Sequence, residues 1–352
     1  MLNFLLILIM TTLILTLALL LAAPPGGGEP ALTSIQQART LIEAGRLSEA
    51  ATVLQNAISQ DPDHPGLRVE LGHLQLRQND FAGASRSLEE ALARSADPGL
   101  VLPMLGQAYL VLEQTAKARR VLEKAVRHNP SDLGSQYNLG RLLRIEGEIQ
   151  AAIPVLEKAL SLNPQGRMLH RIQVNLGALY LDVRRYSPAV ELYEDLSRQN
   201  PEEAEWRYNL AVAREGLGEP RAALEWAREA IRLDPEMARA HLLAGTQLRT
   251  LGKPEEALRA ALKTSELDPT ETQALALAAS LELDLGRYEQ ALGRARRLIE
   301  IDPTHSRGHY LLGQALLASG DRDGAVAEFA THRRLAAERR SFHHTAATMG
   351  DE

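Results

Sequence analysis

His305 and His309 stand at i and i+4 on the start of an expected helix, where two imidazoles share a face and could hold a metal ion, and His343 and His344 add two more. No third ligand of fixed spacing accompanies them, so they read as surface histidines. Cysteine is absent, which excludes disulfides, thiolate zinc sites, iron–sulfur clusters and cysteine nucleophiles together. Phosphate-binding Gly-Lys-Ser/Thr loops, Gly-x-Ser-x-Gly elbows and His-Glu-x-x-His pairs are missing too. The residues offer no catalytic constellation and no metal or cofactor site, and an enzyme is not expected.

Two other groups could mark a surface for binding. Trp206 and Trp226 lie close enough in sequence to form a hot spot, although packing inside the fold is the simpler account. Arg333, Arg334, Arg339 and Arg340 could meet anionic lipid, but cations near a helix C-terminus are also favoured by its dipole. A net charge of −6, with 24% charged residues of both signs interspersed, argues against nucleic acid as a partner. Aromatics are only 4% of the 352 residues while Ala, Leu, Arg and Glu abound, the balance of an all-α protein.

The elements that position these residues follow from one column: Ala50, Ala84, Ala118, Ala152, Ala189, Ala223, Ala257, Ala291 and Ala325. Every interval is 34 except the 37 between Ala152 and Ala189. Twelve residues before each alanine stands another small residue: Ala38, Gly72, Gly106, Gly140, Gly177, Ala211, Gly245, Ala279 and Gly313. Small residues on two helices let them cross closely, with Leu71, Leu105, Leu139, Leu176, Leu210 and Leu312 filling the seam. Between the helices, Gly45, Asn79, Gly147, Gly218, Gly252, Gly286 and Gly320 supply residues tolerant of left-handed dihedrals. Glu113 and Arg184 break that column and predict a different turn. Pro62, Pro130, Pro164, Pro201, Pro235, Pro269 and Pro303 end successive units.

A small residue, an alanine twelve later and a proline twelve after that, at a period of 34, resembles the tetratricopeptide repeat (TPR). The resemblance covers residues 31–340 as nine units, the second ending late at Pro98 and the ninth lacking its proline. It implies helix-turn-helix hairpins stacked into a right-handed superhelical solenoid, with first helices lining a concave surface. Extra residues around Gln165-Gly166-Arg167 are expected between repeats, and Pro154 is the one proline expected well inside a helix.

Asn138, Asn175 and Asn209 occupy the position two before the small column in three successive repeats. Asparagine is a poor interior helix former, so three in register call for a reason. In TPR proteins, asparagine here lies on the concave face and binds the backbone of an extended peptide; that it is simply common at this place in the family is the alternative. Tyr137, Tyr208 and Arg141 join them as groove candidates. Some TPR domains capture a C-terminal carboxylate with Lys, Arg and Asn spread over three repeats. Tyr137 and Glu205 stand where basic residues would be needed, so that type is disfavoured.

From Leu2 to Ala23 the chain is almost wholly apolar, and 22 residues would span roughly 33 Å, enough for a hydrocarbon core. We read it as an uncleaved anchor; a signal peptide is the alternative, and initiation at Met10 would favour it. Residues 24–30 form a Pro/Gly linker and 341–352 an expected disordered tail. No Lys or Arg precedes the segment and Arg39 is the first after it, so topology is weakly encoded. An extracytoplasmic array is expected, a cytoplasmic-facing one being the alternative. Together these features point to a non-enzymatic, membrane-tethered scaffold that binds extended peptide segments of protein partners in envelope complex assembly. The alternative is a regulatory or substrate-presenting subunit of a membrane-associated enzyme system.

Overall fold

Left-handed turn residues and repeat-ending prolines cut the chain into helical hairpins. The computed structural model describes residues 29–349, with side chains from 30 to 339, so the expected anchor and most of the linker lie outside the described residues. The described residues form 18 helices and no strand, divided between two compact units, Met1–Gln165 and Gly166–Glu352. The first unit holds α1 (Glu29–Glu43), α2 (Leu47–Gln60), α3 (Pro65–Arg77), α4 (Phe81–Ala93), α5 (Pro98–Val111), α6 (Thr115–His128), α7 (Leu133–Ile145) and α8 (Ile149–Ser161). The second holds α9 (Gly166–Asp182), α10 (Tyr186–Gln199), α11 (Ala204–Gly216), α12 (Pro220–Leu233), α13 (Ala238–Thr250), α14 (Pro254–Leu267), α15 (Thr272–Asp284), α16 (Tyr288–Ile301), α17 (Ser306–Ala318) and α18 (Arg322–Met349). Each odd helix pairs with the even helix after it, giving nine hairpins. None of the described helices is long and apolar enough to cross a membrane.

Both small columns are buried as their spacing requires. Ala50, Ala84, Ala118, Ala152, Ala189, Ala223, Ala257 and Ala291 have no exposed surface. The small residue of the first helix makes room for a large one on the second. A Cβ on Gly72, Gly106 or Gly140 would meet Leu88, Leu122 or Leu156 at 2.5–2.6 Å, while Gly177 and Gly313 face Tyr193 and Phe329. Around these crossings apolar side chains form clusters that run from hairpin to hairpin, such as Ala211, Leu243, Leu258, Leu277 and Leu281 in the second unit.

All nine hairpin turns share one geometry. Gly45 (φ 74°) gives its N–H to Ile42, and Arg46 reaches back to Leu41 at 2.8 Å, satisfying two end carbonyls. Glu113 (φ 56°) and Arg184 (φ 59°) make the same closure through Gln114 to Tyr109 and Arg185 to Tyr180. The different turn predicted there does not occur. The hydrogen bonds hold the left-handed shape and the side chain absorbs its steric cost.

Between hairpins the residue before proline is extended, as proline demands: Asp61, Asp234, Asp268 and Asp302 have φ near −131° and ψ of 82–94°. A side chain four into the next first helix then donates to the carbonyl of that proline. Gln136 reaches Pro130 at 2.9 Å, Arg207 reaches Pro201 at 3.1 Å, and His241 and His309 reach Pro235 and Pro303 at 3.0 Å. Arg68 does the same to Pro62.

Four features differ from the sequence expectations. The extra residues near Gly166 do not lie between repeats but lengthen a helix: α9 has 17 residues where α11 and α13 have 13. Asn163 (φ 53°) and Gly166 (φ 54°) turn the chain early, and α9 then runs unbroken from Gly166 to Asp182. Pro103 lies inside α5, so Pro154 in α8 is not alone. Helix α1 starts at Glu29, within the linker expected to reach residue 30, because proline fits a helix's first turn. Finally, α18 runs to Met349, into the tail expected to be disordered, through a stretch without Gly or Pro.

Candidate functional site

Successive odd helices touch each other as well as their partners. In the first unit α1 meets α3, α3 meets α5 and α5 meets α7; in the second α11 meets α13, α13 meets α15 and α15 meets α17. No comparable contact joins successive even helices among the described residues. Each stack therefore crowds its first helices on an inner face and spreads its second helices on an outer one. An extended segment laid across the inner face would meet side chains from several repeats.

The asparagine row is divided between the units. Asn138, on α7, is half-buried and has no hydrogen-bond partner among the described residues. Asn175, on α9, donates its amide to the Arg171 carbonyl of its own helix at 2.7 Å. Asn209, on α11, donates to Glu205 at 3.4 Å, and Glu205 is ion-paired with Arg239 of α13. Tyr137 is buried, at 8% exposure, and offers little surface for contact. Tyr208 packs on the core cluster with the Arg239 guanidinium 4.6 Å from its ring. Burial pushes its hydroxyl above the usual tyrosine value, against the opposing pull of Arg239. Arg141 is half-buried with its Nε unbonded.

The other residues singled out by chemistry are tied into the fold. His305 caps α17 by accepting the Gly308 N–H on Nδ1 at 2.9 Å. His309 spends both nitrogens, Nδ1 on Glu328 at 2.6 Å and Nε2 on the Pro303 carbonyl. Trp206 stacks on Tyr193 at 6.3 Å and meets His170 edge-on at 5.7 Å, so it packs against the preceding repeat. Trp226 packs on the second unit's core.

A cleft of 310 Å³ opens on the inner face of α13, α15 and α17. Leu242 and Leu277 line it with apolar surface, Gln273 and His305 with polar groups, and Arg249 and Arg307 with positive charge. Some arginines elsewhere on the second unit are neutralised, Arg214 by Glu194 and Glu219 at 2.8 Å and Arg239 by Glu205. The sequence reading missed this cleft. Its signal is weak: Arg249 stands four after Gly245 and Arg307 six before Gly313, so only register with the small column puts them on one face.

Tetratricopeptide repeat profiles match residues 41–102 and 282–347, and 104–167, 174–238 and 215–272. Among solved structures, MamA is 20% identical over 47% of this chain and 97% of its own, with a TM-score of 0.44. MamA 41-end from Desulfovibrio magneticus RS-1 is 26% identical over 50% of this chain and 98% of its own, TM-score 0.44. YrrB, a TPR protein with an unusual peptide-binding site, is 25% identical over 53% of this chain and 95% of its own, TM-score 0.44. No curated protein matches the chain. With its hairpins, turns and buried small columns matching those profiles over most of its length, the chain belongs to the tetratricopeptide repeat family, whose members are generally non-enzymatic and typically mediate protein–protein interactions.

Proposed function

We propose that this protein is a membrane-tethered adaptor that holds extended segments of partner proteins on its first-helix faces, extracytoplasmically, in assembly of an envelope complex. The observation that carries the reading is the cleft shared by α13, α15 and α17, where three successive repeats contribute side chains to one concavity. The apolar Leu2–Ala23 segment supports the tether. Purification of the full chain from mild detergent after crosslinking recovers stable protein partners on this reading. Repeated recovery of the chain alone rejects it. A topology reporter fused at Glu352 reads out on the extracytoplasmic side; a cytoplasmic signal removes the envelope-side placement.

A further inference from the structure

The cleft across α13, α15 and α17 carries charge without a counter-ion. Arg249 and Arg307 form no ion pair among the described residues, and no acidic side chain lines the cavity. The cap geometry adds a donor. Because Nδ1 of His305 accepts the Gly308 N–H, the neutral ring carries its hydrogen on Nε2, the one ring nitrogen left over. The Gln273 backbone N–H is already held by Glu271 at 2.9 Å, which leaves its side-chain amide as a further donor. Donors and cations thus surround the apolar surface of Leu242 and Leu277.

We infer that this cleft binds an acidic peptide segment, with side-chain carboxylates taken by Arg249 and Arg307 and apolar side chains resting on Leu242. The inference rests on the peptide-holding reading above and names the class of segment held. Guanidinium forks match carboxylates and retain their charge at any working pH. Polyphosphate partners are disfavoured, because two unpaired arginines on a chain of net charge −6 neutralise few phosphates. Helices packed 8–10 Å apart put α13 and α17, with α15 between, on the order of 16–20 Å apart. An extended chain advances about 3.3 Å per residue, so acidic residues about five or six apart match that separation and can engage both arginines.

The test uses the full chain in nonionic detergent and a C-amidated nonapeptide of three Glu-Leu-Ser repeats carrying a net-neutral rhodamine dye on its N-terminus, with the Gln-Leu-Ser peptide as its neutral counterpart. Both ends are capped, so a terminal carboxylate cannot account for binding. Anisotropy should show the Glu peptide binding at least tenfold more tightly than the Gln peptide, with the difference shrinking as salt rises. The double variant Arg249→Gln/Arg307→Gln should lose that tenfold preference for the Glu peptide over the Gln peptide while its helical content stays unchanged. Equal affinity for the two peptides, or an unchanged preference in the double variant, overturns the acidic assignment but leaves peptide holding intact. Failure to bind either peptide overturns it as well, and peptide holding falls with it only if partner recovery also fails.

Discussion

At the scale of single residues, the fold depends on what is small. Ala223 is fully buried where α12 crosses α11, and extra methylenes there have nowhere to go. Ala223→Leu should cost about 1–3 kcal/mol and lower the thermal midpoint; an unchanged midpoint would contradict a tightly packed crossing. The asparagines are the opposite case, since none supports the core. Changing Asn138, Asn175 and Asn209 together to Ala should leave helical content intact and weaken a partner segment by at least about 0.5–1.5 kcal/mol, the size of one lost hydrogen bond. Asn138→Ala alone should matter more than Asn175→Ala, because the Asn175 amide is already spent on the Arg171 carbonyl. Retained affinity in the triple variant would remove the row from the binding surface.

At the scale of elements, the turns are uniform in shape and unequal in strain. Gly147 takes φ 78° freely, whereas Glu113 takes 56° against its own Cβ. Left-handed dihedrals cost an L-residue roughly 1–2 kcal/mol, partly offset by the greater freedom glycine loses on folding. Glu113→Gly should therefore stabilise the protein by up to about 1 kcal/mol, seen as a higher urea midpoint. A lower midpoint would mean that the Glu113 side chain contributes something the turn geometry hides. The donors to the repeat-ending prolines are a second element-scale device: Gln, Arg and His serve equally because each reaches the same carbonyl from the same helical position.

At the scale of the whole molecule, charge pairs tie neighbouring repeats together. Arg39 of α1 holds Glu70 of α3, and Arg239 of α13 holds Glu205 of α11. Glu70 is only 4% exposed. Burial by itself would raise its pKa, but His73, 3.7 Å away, and the hydrogen-bonded Arg39 outweigh that and hold it below the usual carboxylate value. A carboxylate depressed in the folded state stabilises above its unfolded pKa of about 4.3, and the contribution is lost as pH falls through the folded value. The stability difference between the parent and Glu70→Gln should therefore be full at pH 7 and shrink steadily below about pH 4. A constant difference down to pH 3 would show that the ionised pair is not what Glu70 contributes.

The period of 34, the nine hairpins and their buried columns were determined by sequence alone, because small side chains at fixed spacing admit only one close crossing of two helices. Turn shape at Glu113 and Arg184 was not legible, since the end-of-helix hydrogen bonds, not the residue type, decide it. Nor was the fate of the extra residues near Gly166, which could sit in a loop or add a turn to α9 with the same composition. Of the candidate site, sequence placed the asparagines on first helices but not their bonds back to their own helix. The cleft of Arg249, His305 and Arg307 was decided only by tertiary structure. Whether a cation is neutralised depends on which acidic side chain packs within reach, and those neighbours are set by the stacking of helices some 30 residues apart.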